Sequence, residues 1–410
     1  MLFIKITFNT ETEKGVKERL LKISEKQKTQ VKTGFVRYLY QDIEWTQPLI
    51  LIKGARGAGK TTLLLQHFKN NPANAVYLSL DDFYFESNRL LLLAEALYGE
   101  GYKTFYLDEV HQYRHWSKDL KNLHDNYPDL KIIATGSSAL QIDKGMADLS
   151  RRITVYQLFG LSFREYIGFE TGVHLPPVPL KALLDDHERY SVQVNDATNP
   201  LHHFENYLKW GYYPFYKSDR NSYHQKLQQT IQLTLDVDLP SVETLNFSTI
   251  KGMKNMLFVL SQIVPYTPNI QALADKTNSP RNSVLKALDL MDKSNILSLL
   301  RSDNKGVSYL QKPEKIYMEN PNLLYVFNDA APNKGNLRET FFFNQLKVKH
   351  NVTASRFGDF MVDQIYTFEI GGAAKTAKQI SGVPFSYIAA DELKYGNQNK
   401  IPLWLFGFLY

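Results

Sequence analysis

No cysteine occurs among the 410 residues. Disulfide scaffolds and thiolate metal sites are therefore excluded, and the composition fits a reducing compartment. Also missing is any apolar run of the roughly 18–20 residues needed to span a bilayer. The opening residues Met1-Leu2-Phe3-Ile4-Lys5 soon turn polar and lack the layout of a secretory leader, so a cytoplasmic protein with no membrane partner is expected. The apolar run over 401–410 is about half a span and reads as a buried terminal strand. A strong imbalance of charge is absent too. Net charge is +6, and residues 1–250 hold 29 basic and 29 acidic side chains. The excess lies in 251–410, with 19 against 13. That mildly basic part permits nucleic-acid contact, although a merely solvated surface would look the same.

What is present is an ordinary globular composition, with 43% hydrophobic and 22% charged residues. At roughly 150 residues per domain, the length suggests two or three domains. The pattern G-x-x-x-x-G-K-[ST] is complete in Gly54-Ala55-Arg56-Gly57-Ala58-Gly59-Lys60-Thr61, followed by Thr62. An apolar run, Pro48-Leu49-Ile50-Leu51-Ile52, precedes it, and Leu63-Leu64-Leu65 follows. Strand, glycine loop and helix are the context a phosphate-binding loop requires. The glycines let successive backbone N–H groups turn toward the β- and γ-phosphates, and the following helix adds its positive end. Lys60 would reach the same phosphates and the Thr61 hydroxyl would ligate Mg²⁺. A glycine-rich turn in an unrelated αβ unit is the alternative.

Further strands are expected over 75–80, 104–109, 131–135 and 153–158, with helical stretches between them. This alternation predicts a parallel, doubly wound α/β sheet with its ligand at the strands' C-terminal ends. The strand Thr104-Phe105-Tyr106-Leu107 ends in Asp108-Glu109. Asp108 would hold Mg²⁺, and Glu109, on the other side of the strand end, would orient and deprotonate an attacking water. Strand-terminal acids also serve as plain polar caps. Thr135 and Ser137, at the tip of the next strand, are candidates to touch the γ-phosphate or the water; an ordinary N-cap is the equal alternative. Arg151 and Arg152 precede the fifth strand. Either guanidinium could act on developing γ-phosphate charge, in cis or from a neighbouring subunit of a homo-oligomer, or the pair could simply cap a helix. His111 and His115 are one helical turn apart, but no carboxylate or thiol completes a metal site with them or with His124.

These motifs, with Leu161-Ser162-Phe163-Arg164-Glu165-Tyr166 after them, resemble the prokaryotic AAA-superfamily ATPases of the archaeal-ATPase, STAND-like branch. The resemblance implies an ATP-binding, Mg²⁺-dependent ATPase of the type with a strand inserted between the loop strand and the acidic strand. It also implies a C-terminal region containing a winged helix and a restriction-endonuclease-like part. Four segments are accordingly expected: an ATPase domain over 1–170, a helical linker over 171–255, a winged helix-turn-helix over 256–330 and a nuclease-like domain over 331–410. ATP over GTP rests on the resemblance, since no Asn-Lys-x-Asp run follows the acidic strand.

The later segments can also be read from their residues. Pro176, Pro177, Pro179 and Pro200 mark a boundary. Helices over 269–277 and 281–292, with strands over 296–300 and 308–311 around an Asp303-Asn304-Lys305-Gly306 turn, make a helix-turn-helix with a wing. Its second helix would offer Arg281, Asn282, Ser283 and Lys286 to a DNA groove; a structural or dimerising role is the alternative. At the end of the chain, strands are expected over 356–360, 361–363 and 365–370. A nuclease edge needs two acids and a lysine. Asp363 and Glu369 are the candidate acids, but Gly371 stands at the lysine position, and Lys375 would come from an unfavourable offset. An inactive module is the expectation.

Overall fold

The computed structural model describes residues 10–137, 145–243, 245, 247–302, 312–327 and 331–410. The chain divides into two compact units. The first comprises Met1–Gly54 with Gly59–Leu158, and the second Ala55–Ala58 with Phe159–Tyr410.

Five parallel strands organise the first unit, in the order β2-β3-β4-β1-β5. They are β1 (Leu49–Gly54), β2 (Ala75–Ser79), β3 (Thr104–Asp108), β4 (Lys131–Ser137) and β5 (Thr154–Gln157). Their apolar runs are continuous because both faces are covered: Leu49, Ile50, Leu51, Ile52, Phe105, Tyr106 and Leu107 are fully buried. β4 lies between β1 and β3, in the position of the expected inserted strand, pairing Ile52 with Thr135 and Leu107 with Ala134. That register brings the ends of all three strands to one edge. Helices Lys60–Asn70 and Trp116–Asn126 return the chain between strands. Ahead of the sheet the chain is helical in two pieces. The first runs over Thr10–Gln30, and the second, Leu39–Asp42, is a single turn.

The second unit opens with helix Phe163–Thr171, started by a capping box in which Ser162 and Glu165 exchange backbone hydrogen bonds. Its core is aromatic: Phe163, Phe204, Tyr207, Phe341 and Phe408 meet edge to face at centroid separations of 4.7–5.9 Å. Residues from the expected linker and nuclease-like segments thus share one core. Within this unit Arg56 forks onto Asp238, a fully buried carboxylate, at 2.7–3.1 Å. Helices Ile270–Thr277 and Arg281–Lys293 are followed by an antiparallel pair, β6 (Leu297–Leu300) and β7 (Lys315–Met318). The partner strand therefore lies at 315–318, while the expected turn at 303–306 and strand at 308–311 fall outside the described residues.

A second five-stranded sheet is mixed, in the order β12-β11-β10-β9-β8. It comprises β8 (Val352–Ala354), β9 (Phe360–Val362), β10 (Tyr366–Gly371), β11 (Ser386–Ala390) and β12 (Lys400–Pro402). Residues 356–359 form a bend instead of the expected strand. The apolar end of the chain is buried as expected, but only its start is a strand; Leu403–Phe408 coils into a 3-10 helix. Pro402, with no N–H and a fixed φ, ends the ladder there.

Candidate functional site: a phosphate loop over a buried acid

β1 leads directly into the glycine loop. Gly57 and Gly59 take φ of 80° and 98°, left-handed values that glycine adopts without steric cost. Helix Lys60–Asn70 starts at once behind Gly59, so its first N–H groups face back into the loop. Ala58 and Lys60 are buried, while Gly57 and Thr62 are exposed. Lys60 Nζ donates to the Gly54 carbonyl at 3.0 Å, which folds the ammonium along the loop.

Asp108, at the end of β3, is 3% exposed. Three hydroxyls donate to its carboxylate: Thr61 to Oδ1 at 3.2 Å, Tyr77 to Oδ2 at 2.9 Å, and Thr135 to Oδ1. Burial and the adjacent Glu109 charge push the Asp108 carboxyl above its usual range, while these hydroxyls pull it down. Such an acid gains from a cation at its edge, and the two hard oxygens of Thr61 and Asp108 already meet. The donor set therefore fits a magnesium ion. Burial together with the Asp108 charge also pushes the Tyr77 phenol up.

Thr135 does double duty in this cluster. Its hydroxyl donates to Asp108 and accepts the Glu109 amide N–H at 3.1 Å. Glu109 itself sits at φ 51°, ψ 43°, uncommon for a residue with a side chain. Its Oε2 lies 3.2 Å from His111 Nδ1, and that ring nitrogen also faces the Ser137 amide at 3.3 Å. Ser137 is buried, and Ser138 lies outside the described residues.

Lys60, Thr61, Asp108, Glu109, Thr135 and Ser137 are thus drawn toward one edge of the sheet. The two arginines differ. Arg152 clamps Asp125 through two bonds at 2.6 and 3.0 Å, whereas Arg151 is exposed. Sequence reasoning misses Tyr77 and His111 as members of the site. A signal for Tyr77 exists, since a tyrosine two residues before a strand end can reach the neighbouring strand's tip.

Residues 46–167 match a family model described as an AAA domain. The match covers the five-stranded parallel sheet, its glycine loop and its acidic strand end, which together have the P-loop ATPase fold. Two uncharacterized proteins of Methanocaldococcus jannaschii are similar over longer stretches. MJ1637 is 27% identical over 286 residues, which is 65% of this chain and 60% of that protein. MJ1544 is 24% identical over 319 residues, covering 72% and 66%. The chain therefore spans less than two thirds of the length of these relatives. Among solved structures, the Thermotoga maritima RuvB Holliday junction branch migration motor aligns over 72% of this chain and 90% of its own, at 15% identity and a TM-score of 0.27. AMPPCP-bound DnaA from Aquifex aeolicus aligns over 62% and 85%, at 13% identity and a TM-score of 0.25. TM-scores that low establish no common shape over the aligned length.

Outside the matched region, charged groups gather on the mixed sheet. Asp363 sits in the β9–β10 turn, where its carboxylate takes His350 and the Asn351 amide. Asp359 stands nearer Glu369 instead: its Oδ2 accepts the Ile370 amide N–H at 2.8 Å. After Gly371 the strand stops, and Lys375 folds back to ion-pair with Glu369. Lys375 lies so close over Gly371 that a Cβ there would be 2.6 Å from its side chain. Burial pushes the Glu369 carboxyl up and Lys375 lowers it. Among the described residues, Glu369 Oε2 is buried without a hydrogen-bond partner, and no three acids or histidines are grouped to hold a metal. Nor is any described helix long and apolar enough to cross a membrane.

Proposed function

We propose that the AAA domain binds ATP with Mg²⁺ and hydrolyses it, and that its nucleotide state biases the C-terminal segments toward a binding-competent arrangement. The observation that carries this reading is the buried Asp108 carboxylate bonded to the Thr61 hydroxyl at the start of the helix that follows a loop with left-handed Gly57 and Gly59. Gly54, Gly57, Ala58, Gly59, Lys60, Thr61 and Thr62 form the nucleotide cradle. Lys60 releases the Gly54 carbonyl to meet phosphate oxygens, while Thr61 and Asp108 would hold the metal, which would supply positive charge to the phosphates. Glu109 takes the proton of the attacking water, with Thr135 fixing its backbone. Arg151 is the arginine available to developing charge, since Arg152 is committed to Asp125.

Glu109→Gln tests the assignment. Loss of a general base lowers turnover by about 10²–10⁴-fold, while ATP affinity stays near that of the parent protein. Retained turnover removes Glu109 from the role.

A second reading concerns the mixed sheet. The return of Lys375 onto Glu369, beside Asp359, supplies the two acids and one lysine of a phosphodiester-cleaving edge. The unpartnered Glu369 oxygen favours this reading.

A further inference from the structure

The phosphate loop is shared between the two units: Gly54 and Gly59 belong to the first, and Ala55–Ala58 to the second. Two side chains of the second unit grip that inserted stretch. Arg56 Nε donates to both oxygens of Asp238 at 2.9 and 3.1 Å, and a terminal guanidinium nitrogen donates to Oδ1 at 2.7 Å. The Asp238 side chain is fully buried. Drawing Arg56 away toward phosphate would take a cation from a buried carboxylate, which is costly, so the fork stays closed. At the next residue, the Phe215 ring occupies the space of a side chain: a Cβ on Gly57 would lie 2.7 Å from it. Gly57 also has φ 80°, so its left-handed backbone and its missing side chain are both used.

One helix joins the two grips. Phe215, in the 3-10 turn Pro214–Lys217, packs on Tyr223 at a centroid separation of 5.1 Å. Tyr223 opens helix Tyr223–Leu233 and donates to the buried Asn322 side chain at 2.6 Å. The far end of that helix widens into a π turn, Thr234–Asp238, whose last residue is the Arg56 partner. Turns of this kind are rare and frequent at functional sites.

We infer that Asp238 and Phe215 form a clamp that presets the phosphate loop, and that helix Tyr223–Leu233 is the element through which nucleotide occupancy reaches the second unit. Both are positioning residues. A loop already held in its left-handed shape gives up less conformational freedom when phosphates arrive, which raises affinity. By linkage, a nucleotide that favours the clamped loop stabilises the clamp and its helix by the same factor.

This inference rests on the loop binding ATP, and the experiment separates the two claims. The full chain carrying Glu109→Gln is the reference, so that ATP is not consumed. ATP affinity with Mg²⁺ is measured, together with amide hydrogen exchange over 223–242 with and without saturating ATP. Asp238→Asn keeps the shape and removes the charge. Arg56→Met combined with Asp238→Leu replaces the pair by apolar groups and avoids leaving a buried charge alone. Phe215→Ala removes the second grip. The expected result is that ATP slows exchange over 223–242 in the reference. Each variant should weaken ATP binding about tenfold and lose that slowing. A merely structural pair would speed exchange but leave affinity and the ATP response in place. Affinities within about twofold of the reference, or exchange over 223–242 indifferent to bound ATP in the reference, overturn the clamp alone. No ATP binding by the reference overturns the ATP reading, and the clamp with it.

Discussion

A single hydroxyl at Thr135 joins two strands and two acids. It is fully buried, donates to Asp108 and accepts from the Glu109 backbone. Thr135→Val keeps the shape and removes both bonds. A buried N–H is then left without a partner, and a buried carboxylate loses a donor, which costs about 1–3 kcal/mol. Urea unfolding of the first unit should shift by that amount for Val, whereas Thr135→Ser should lie near the parent. An unchanged midpoint for Val would show that water replaces the hydroxyl. From sequence this residue reads as a contact for phosphate or an N-cap. Its actual partners depend on the β1–β4–β3 register, which sets Thr135 beside Asp108. Strand order is a long-range property, and the local pattern around Thr135 does not contain it. His111 is equally hidden: the sequence offers a histidine after two acids, and only the turn Val110–Gln112 aims its ring back at Glu109.

At the level of elements, the decisive event on the mixed sheet is where β10 stops. A lysine five positions beyond Glu369 is badly placed only if the strand continues. Beyond Gly371 the chain turns, with Lys375 N–H donating to the Gly372 carbonyl at 3.0 Å, and the missing Cβ at Gly371 leaves room for the lysine to return to Glu369. The β9–β10 hairpin explains why Asp359 replaces Asp363 as the neighbouring acid: it places Asp363 at its tip and the start of β9 across from Phe368. If this edge cleaves phosphodiesters, supercoiled plasmid incubated with Mg²⁺ or Mn²⁺ should be nicked by the parent chain. Lys375→Ala and Glu369→Gln should each abolish nicking, with Asp363→Asn leaving it intact. Intact plasmid with the parent chain under both metals ends the nuclease reading. Helix and strand identities are largely legible in the sequence, because continuous apolar runs and glycine punctuation report local structure well. Their ends are less so, as the bend at 356–359, where Ser355 Oγ accepts the Phe357 and Gly358 amides, and the coil after Pro402 show.

If the P-loop unit hydrolyses ATP as proposed, the question for the whole molecule is where that energy goes, and its charge distribution offers one destination. The basic excess lies in 251–410. There Arg281, Asn282, Ser283 and Lys286 are all exposed on helix Arg281–Lys293. Lys286 pairs with Glu243 at 2.8 Å, an exposed ion pair that DNA phosphate could replace at little cost. Their opposing face is apolar: Val284, Leu285, Leu288 and Met291 are buried. This is the division expected of a helix that packs on one side and reads on the other. If it contacts DNA, binding should weaken as salt rises, with log K falling linearly against log salt. Arg281→Ala combined with Lys286→Ala should then reduce that slope by about 2, since each cation removed leaves one phosphate with its counterions. The titration is run with Glu109→Gln as background, so that ATP is held and not consumed. Tighter binding with ATP than without it would tie the nucleotide state of the AAA domain to the helix. Binding indifferent to both ATP and the two substitutions would assign the exposed helix face to another partner and leave hydrolysis coupled to something other than DNA.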